Sequence, residues 1–185
     1  MSMPATSSPM RGRVALIAGA SKGIGAATAE AFADAGAAVV LAARDAAALE
    51  TVAQQIKARG GQATAIPADV SDADSVRDLV ASTLDAYGRL DAAFNNATDG
   101  PRPAPLADID PAEFDLGIAT NVRGTFLGMK FQIPAMLASG GGERLGGGRP
   151  DAPARARDQG NPAFERQISH DRLLLSCLPC PLPKS

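Results

Sequence analysis

The sequence is poor in the residues that several classes of protein require. Its 185 residues include only two cysteines, one histidine and one tyrosine, and its formal net charge is −2. Two cysteines cannot form a disulfide framework, and a zinc site needs about four ligands. Because no long basic run appears, the sequence also lacks the electrostatic signature of a nucleic-acid-binding protein. We therefore expect no metal and no nucleic-acid partner.

Long apolar segments are absent as well. No run of about 18 apolar residues appears, so no transmembrane helix is predicted. The first 12 residues lack the apolar segment of a secretory signal peptide. We therefore expect a cytoplasmic protein with no membrane partner. Apolar residues still make up 45% of the chain, which is enough to bury the core of one domain.

Short apolar runs alternate with longer segments of helical periodicity between residues 13 and 139. The predicted strands are residues 13–19, 38–43, 63–69 and 90–96. Ser71 and Asp74 resemble a capping box for the third helix, and Pro111 marks the start of a long fourth helix that ends near residue 139. Strands that alternate with helices of this length predict an α/β fold with a doubly wound parallel sheet.

The sequence changes character at residue 140. The last 46 residues contain seven Gly and six Pro, no Val or Thr, and one Ile. Because β-branched residues favour strands, we predict no strand there, and the sheet is expected to be truncated after its fourth strand. The chain divides into a disordered leader (1–12), an α/β domain (13–139) and a largely irregular tail (140–185).

A glycine-rich turn, AGASKGIG, lies between the first predicted strand and the first predicted helix. Gly19 would allow a tight turn, Gly23 would let a ligand approach the backbone, and Gly25 would let the helix pack closely on the strand. Backbone amides and the positive end of a helix dipole meet at such a turn, which suits a pyrophosphate. The alternative is a turn that only connects the two elements.

Four motifs, in this order, resemble the short-chain dehydrogenase/reductase family. They are the AGASKGIG loop, with Ala18 where the family usually has Thr, ADV at 68–70, NNA at 95–97 and NVRGTF at 121–126. The resemblance covers about residues 11–139. It implies a Rossmann-like, NAD(P)-binding domain and hydride transfer between a nicotinamide and an alcohol or carbonyl substrate. Thr98 stands where the family usually has Gly.

The resemblance also implies which residues form the site. Asp69 would contact the adenine ring, Asn95 and Ala97 would line the inner half of the cofactor, and Asn121 would help to position a catalytic lysine through water. The cofactor-binding positions taken together are Gly19, Ser21, Lys22, Gly23, Ile24, Gly25, Arg44, Asp69, Val70, Asn95 and Ala97.

Charge at the end of the second predicted strand bears on the choice of cofactor. The 2′-hydroxyl of NAD favours an acidic acceptor there, whereas the 2′-phosphate of NADP favours cations. Arg44, together with Lys22 in the glycine loop, resembles the NADP-preferring pattern of the family. Asp45 would either serve NAD or cap the next helix. We predict NADP, with NAD as the alternative.

The catalytic Tyr-x-x-x-Lys pair of the family is missing. In that pair the lysine makes a tyrosine hydroxyl a useful acid near neutral pH, and a serine on the fifth strand holds the substrate oxygen. The single tyrosine, Tyr87, is followed four residues later by Asp91 and belongs to the apolar face of the third predicted helix. The resemblance therefore implies an oxidoreductase that is inactive as written. The alternative is a non-catalytic nucleotide-binding remnant or regulatory protein.

The tail bears little recognisable chemistry. Cys177 and Cys180 have the spacing of a redox pair, but prolines crowd them and we do not interpret them as a functional redox pair. We attribute the tail to translation out of frame from about residues 142–144. That hypothesis fails if neither other frame of the DNA encodes a serine-bearing strand and a Tyr-x-x-x-Lys. A missing fifth strand would expose the helix at 111–139, which predicts a homo-oligomer contact there.

Overall fold

A five-stranded parallel sheet forms the centre of the fold. The computed structural model describes residues 8–140 and residues 174–176. The strands are β1 (Val14–Ala18), β2 (Ala38–Ala43), β3 (Gln62–Pro67), β4 (Ala92–Asn95) and β5 (Leu174–Ser176). They are ordered β3-β2-β1-β4-β5, and every neighbouring pair is parallel. The direction of winding reverses between β1 and β4, which confirms the predicted doubly wound sheet.

Helices cover both faces of this sheet. They are α1 (Gly23–Asp34), α2 (Ala46–Ala58), α3 (Ala73–Tyr87), α4 (Pro111–Gly117) and α5 (Gly124–Ala138). A 3₁₀ turn, Leu106–Asp108, precedes α4, and a π-helical segment, Ile118–Arg123, joins α4 to α5. The predicted long helix at 111–139 is thus one helical run with a π segment inside it.

Two apolar clusters lie on opposite faces of the sheet because successive strand residues point to opposite sides. Ile17 and Leu41 pack with residues of α1 and α2, whereas Leu16 and Val40 pack with residues of α3 and α5. All four side chains are fully buried. Burial on both faces explains why the strands read as continuous apolar runs rather than as alternating ones.

Helix starts depend on short polar side chains. The Asp45 carboxylate accepts the Ala48 amide at the start of α2, 3.0 Å away. Asp72 accepts the Ser75 amide at the start of α3, so the predicted capping residue Ser71 is wrong by one position. Each aspartate accepts a hydrogen bond from a backbone amide that the first turn of its helix would otherwise leave without a partner.

Two predictions about the ends of the domain differ from the structure. Residues 8–12, which the sequence placed in a disordered leader, form a turn in which the Met10 amide donates to the Ala35 carbonyl. The Met10 side chain packs on the core, which is why the turn is held. The sequence predicted no strand after residue 140, yet β5 pairs with β4. An edge strand presents unpaired backbone groups, which another segment can pair with whatever its side chains are.

Several other predictions concern residues outside the described ones. They include the interpretation of the cysteines at 177 and 180 and the irregular structure predicted for the tail apart from β5. Within the described ranges, no helix is long and apolar enough to cross a membrane.

The helical run from α4 to α5 exposes large apolar side chains, among them Phe114, Val122 and Phe126. The oligomer contact through this run stays a prediction, which the mass of the full chain in solution would test.

A buried carboxylate anchors the amino ends of β1 and β4. Asp91 is 1% exposed and accepts hydrogen bonds from the Val14 amide and from the guanidinium groups of Arg13 and Arg89. Burial alone would raise the pKa of Asp91, but the bonds from Arg89, Val14 and Arg13 together outweigh it and lower the pKa. The carboxylate is therefore charged at neutral pH and ties two strands together.

We expect Asp91→Asn to lower the free energy of unfolding by about 2–4 kcal/mol at pH 7, because it removes the buried anion to which Arg89 and Arg13 donate. A carboxyl whose pKa is lowered on folding stabilises the fold above its ordinary pKa of about 3.9 and loses that contribution as the pH falls through the folded-state value. The variant should therefore be less sensitive to pH below about 4. Urea unfolding at pH 7 and in acid measures both effects. Asp74→Asn, in an exposed pair with Arg77, is the control and should change neither; equal losses in both variants would contradict this role of Asp91.

Candidate cofactor-binding site

The glycine loop after β1 is built on close contacts between backbone segments. Gly19 has a φ of +81°, and a Cβ there would lie 2.7 Å from the amide nitrogen of Ala97. A Cβ on Gly25 would overlap the carbonyl of Gly19. Gly19 and Gly25 thus allow the loop, the start of α1 and the segment after β4 to meet at the carboxyl end of the sheet.

Gly23 has a different environment. Its φ is +58°, and a Cβ built on it would meet nothing within 4 Å. The preceding residue, Lys22, occupies the capping position of α1 but makes no side-chain hydrogen bond there. Ile24 is two-thirds exposed although it is a large apolar residue. The backbone of the loop from Ser21 to Ile24 is therefore open to solvent at Gly23, at the positive end of α1.

Asp69 lies in a short turn after β3. Its Oδ1 accepts hydrogen bonds from both the hydroxyl and the amide of Ser71, at 2.7 and 2.9 Å. The Ser71 hydroxyl contributes most to lowering the pKa of Asp69, and the positive charge of Arg44 lowers it further. The Asp69 amide donates to the hydroxyl of Ser75, which fixes the turn against α3. Asp69 is therefore a rigid anion at the carboxyl end of the sheet.

Arg44 follows β2 and forms an ion pair with Asp99, which follows β4. Its Nη2 lies 2.7 Å from Oδ2 of Asp99. Asp45, the acidic residue that could have served NAD, uses its Oδ1 to cap α2. Of the two residues at this strand end, the acid thus caps a helix and the cation pairs with Asp99.

Asn95 closes β4 and pairs with a side chain of α5. Its amide exchanges two hydrogen bonds with the amide of Gln132, each 2.9 Å long, and Gln132 is 1% exposed. Gly128 allows this approach, because a Cβ on it would lie 2.7 Å from Oδ1 of Asn95. Asn95 therefore ties the end of β4 to α5. Asn95, Val70 and Ala97 also line one small cavity, which they share with Ala18, Thr120, Gly124 and Thr125.

Asn121 lies in the π-helical segment and binds the backbone of Asp99. Its Oδ1 accepts from the Asp99 amide at 3.0 Å, and its Nδ2 donates to the Asp99 carbonyl at 2.9 Å. Single π turns inside α-helices are frequent at functional sites. Here the π turn places an asparagine where it fixes the segment that follows β4.

Tyr87 lies at the other end of the sheet. It packs on the core, and its hydroxyl pairs with that of Thr64 at 2.7 Å. It lines a groove together with Val14, Ala38 and Gln62, which are the first residues of β1, β2 and β3. The glycine loop follows the last residue of β1, so the only tyrosine of the chain is separated from it by the length of a strand.

Sequence reasoning missed two residues of this site. Gln132 could have been suspected, because it is a polar residue in an otherwise apolar part of its helix. Asp99 gave no local signal, since its partners Arg44 and Asn121 are 55 and 22 positions away. The structure brings the other predicted site residues to the carboxyl end of the sheet, along the glycine loop and the segments after β2, β3 and β4.

A doubly wound sheet with a glycine loop at its switch point defines a class of nucleotide-binding proteins. Comparison with known families is more specific. Residues 13–143 match the family model described as short chain dehydrogenase. The chain belongs to this family.

The most similar curated proteins include two enzymes from bacteria. An A-factor type gamma-butyrolactone 1′-reductase (1S-forming) of Streptomyces virginiae is 44% identical over 130 residues, which are 70% of this chain and 51% of the relative. A 2,5-dichloro-2,5-cyclohexadiene-1,4-diol dehydrogenase of Sphingobium indicum is 40% identical over 133 residues, 72% of this chain and 52% of the relative. The chain thus spans about half the length of the curated relatives it matches.

Solved structures resemble the same part of the chain. A metagenomic short-chain oxidoreductase in complex with NADP is 41% identical, with a TM-score of 0.67 over 70% of this chain and 59% of that one. A short-chain type dehydrogenase/reductase from Mycobacterium marinum is 39% identical, with a TM-score of 0.68 over 72% of this chain and 54% of that one. The likeness therefore extends over about seven-tenths of this chain.

We expect Asn121→Ala to loosen the segment after β4, because it removes both side-chain bonds to the backbone of Asp99. The exchange of the Asp99 amide with deuterated water, followed by NMR, should become about fivefold faster or more. Thr125→Val is the control, since the Thr125 hydroxyl bonds only to the carbonyl of Asn121 within the helical run. Unchanged exchange at Asp99 in the alanine variant would show that Asn121 does not hold this segment.

Proposed function

We propose that this chain binds a nicotinamide dinucleotide, with NADP(H) preferred, at the carboxyl end of its sheet. The observation that carries the proposal is the geometry of Gly23. Gly23 has a left-handed backbone conformation and open space where a side chain would be. It is the first residue of α1, whose start has no side-chain capping bond. A diphosphate needs such a place, because oxygen atoms can then approach backbone amides at the positive end of a helix.

The chemistry of the surrounding residues fits the rest of a dinucleotide. Asp69, a rigid anion after β3, would accept from the amino group of an adenine ring, and Ala97 would line the inner half of the cofactor together with Asn95. Val70 and Asn95 would border the inner part of the cofactor, beside the cavity that they share. Gly19 and Ser21 would complete the diphosphate loop with Gly25 and Ile24.

Charge favours NADP(H) over NAD(H). A 2′-phosphate binds best to cations that also donate hydrogen bonds, and Arg44 after β2 and the exposed Lys22 in the glycine loop would be those cations. Asp45, the acidic residue nearest to the end of β2, is engaged in capping α2. The similar structure that contains NADP supports the same choice for this chain.

The reaction of the family would be the transfer of a hydride between the nicotinamide ring of the bound cofactor and the carbon of an alcohol or carbonyl substrate. Such a transfer needs a proton donor or acceptor beside the substrate oxygen. Asn121 would act by positioning, through its two bonds to Asp99. Tyr87 lies at the opposite end of the sheet and cannot exchange that proton. We infer that this chain, by itself, binds the cofactor without completing the reaction.

A second candidate function follows from the position of Tyr87. A chain that keeps the cofactor loop but has its only tyrosine at the far end of the sheet could serve as a non-catalytic, regulatory nucleotide-binding protein. Both functions require NADPH to bind. Turnover of a carbonyl substrate separates them, because an oxidoreductase would show it and a non-catalytic binding protein would not.

We expect Gly23→Ala to weaken the binding of NADPH by about tenfold or more, because a methyl group would occupy the space that the diphosphate needs. Gly60→Ala is the matched control, since Gly60 also has positive φ and open surroundings but lies between α2 and β3. Both variants should lose a similar amount of stability, about 1 kcal/mol. Titration with NADPH and thermal melting measure the two effects. Equal affinity for NADPH in the two variants would overturn the proposed position of the diphosphate.

We expect the purified chain to bind NADPH and to show no oxidation of it above background with a panel of aldehydes and ketones. The physical reason is that the single tyrosine of the sequence, Tyr87, lies at the opposite end of the sheet, and the loss of a proton donor alone slows such reactions by about 100- to 10,000-fold. Absorbance at the wavelength of the reduced nicotinamide follows the reaction, and a melting shift on adding NADPH confirms binding in the same sample. Turnover well above background would contradict the inferred inactivity, and the absence of any melting shift would contradict the binding site.

A further inference from the structure

The ion pair between Arg44 and Asp99 lies across the place where the proposed cofactor would bind. Arg44 follows the end of β2, and Asp99 follows the end of β4. Between those two strands lies β1, whose end opens into the glycine loop. A bond of 2.7 Å between the two side chains therefore spans the carboxyl end of β1 and the loop that follows it.

Asp99 is the fixed member of this pair. Its amide and carbonyl are both bonded to the side chain of Asn121, and its Oδ1 accepts from the Gly100 amide at 2.9 Å. The bond from Gly100 and the guanidinium of Arg44 lower the pKa of Asp99, which is therefore charged at neutral pH. The side chain of Asp99 is 25% exposed and that of Arg44 is 62% exposed, so Arg44 is the member that is free to move.

We propose that Asp99 sets the cofactor preference of this chain by competing with a 2′-phosphate for Arg44. This inference rests on the proposed function, because it concerns how a nicotinamide dinucleotide is recognised. Arg44 has one guanidinium group, and a phosphate at the end of β2 must either replace the Asp99 carboxylate or share the cation with it. A cofactor with a free 2′-hydroxyl makes no such demand and leaves the pair intact.

The neighbouring charges strengthen this competition. The charge of Arg44 also acts on Asp69, so two carboxylates, those of Asp69 and Asp99, lie around the one guanidinium. A 2′-phosphate would therefore enter a region that is already negative apart from Arg44 and Lys22. The chain's preference for NADP(H) over NAD(H) is therefore smaller than the preference that Arg44 and Lys22 would produce without a competing carboxylate. Asp99 is the residue that reduces this preference.

The test is Asp99→Asn in the full chain. Asparagine has the same shape and can still accept from the Gly100 amide, but it releases Arg44. The dissociation constants for NADPH and NADH are measured by fluorescence titration. We expect the constant for NADPH to fall about five- to tenfold, and that for NADH to change by less than about twofold. Asp34→Asn is the charge-matched control, because Asp34 is bonded to Arg59 at the far end of α1 and should alter neither constant.

Arg44→Gln separates competition from simple repulsion. In the Arg44→Gln variant, the added Asp99→Asn substitution should lose most of its effect on the dissociation constant for NADPH, because no guanidinium remains to be released. The inference is wrong if the full gain in affinity for NADPH persists in the Arg44→Gln variant. It is also wrong if Asp99→Asn alone leaves the ratio of the two dissociation constants unchanged. Asp99→Ser, whose hydroxyl also accepts from Gly100, is a second variant with the same expectation, and circular dichroism confirms that each variant is folded. A wild-type chain that binds neither cofactor would instead overturn the proposed function, and this inference with it.

Discussion

Close approach of backbone to backbone at the end of β1 is the constraint on which the site depends. Gly19 lies against the backbone of Ala97, and Gly25 lies against the carbonyl of Gly19. A side chain at either place would separate α1 from the sheet or push the segment after β4 outward. The same contacts bring the start of α1 and the residues after β4 together, and the Gly19 amide also donates to the Ala42 carbonyl in β2. The charged residues of the site owe their proximity to these two glycines.

Local patterns in the sequence predicted the elements that depend on local interactions. The apolar runs predicted the strands β1, β2 and β4 to within two residues, because strands buried on both faces consist almost entirely of apolar residues. Asp45 and Pro111 marked helix starts, since capping and the fixed φ of proline act over a single turn. The spacing of the glycines predicts a phosphate loop, and in the structure Gly19 and Gly23 both have a positive φ.

Interactions between distant residues could not be predicted in this way. The amide pair of Asn95 and Gln132 joins positions 37 apart, and the pair of Arg44 and Asp99 joins positions 55 apart. Each of these side chains is unremarkable within its own segment, and only the order of the strands brings the partners together. Met10 and β5 illustrate the same limit, because a turn or an edge strand is held by what it packs against or pairs with rather than by its own composition.

The π-helical segment shows how fold and site are joined in this chain. A regular helix from Pro111 to Ala138 would carry its side chains past the sheet at a constant angle, whereas one wider turn changes the direction in which the residues inside it point. Asn121 lies in that turn and holds the backbone of Asp99 by two bonds, while Arg123 at its end donates to the carbonyl of Ser71 at 3.0 Å. One helical segment therefore fixes both the loop after β4 and the turn after β3. Any ligand that displaces either loop must also act against this helix, which makes the loops a preformed wall rather than a flexible one.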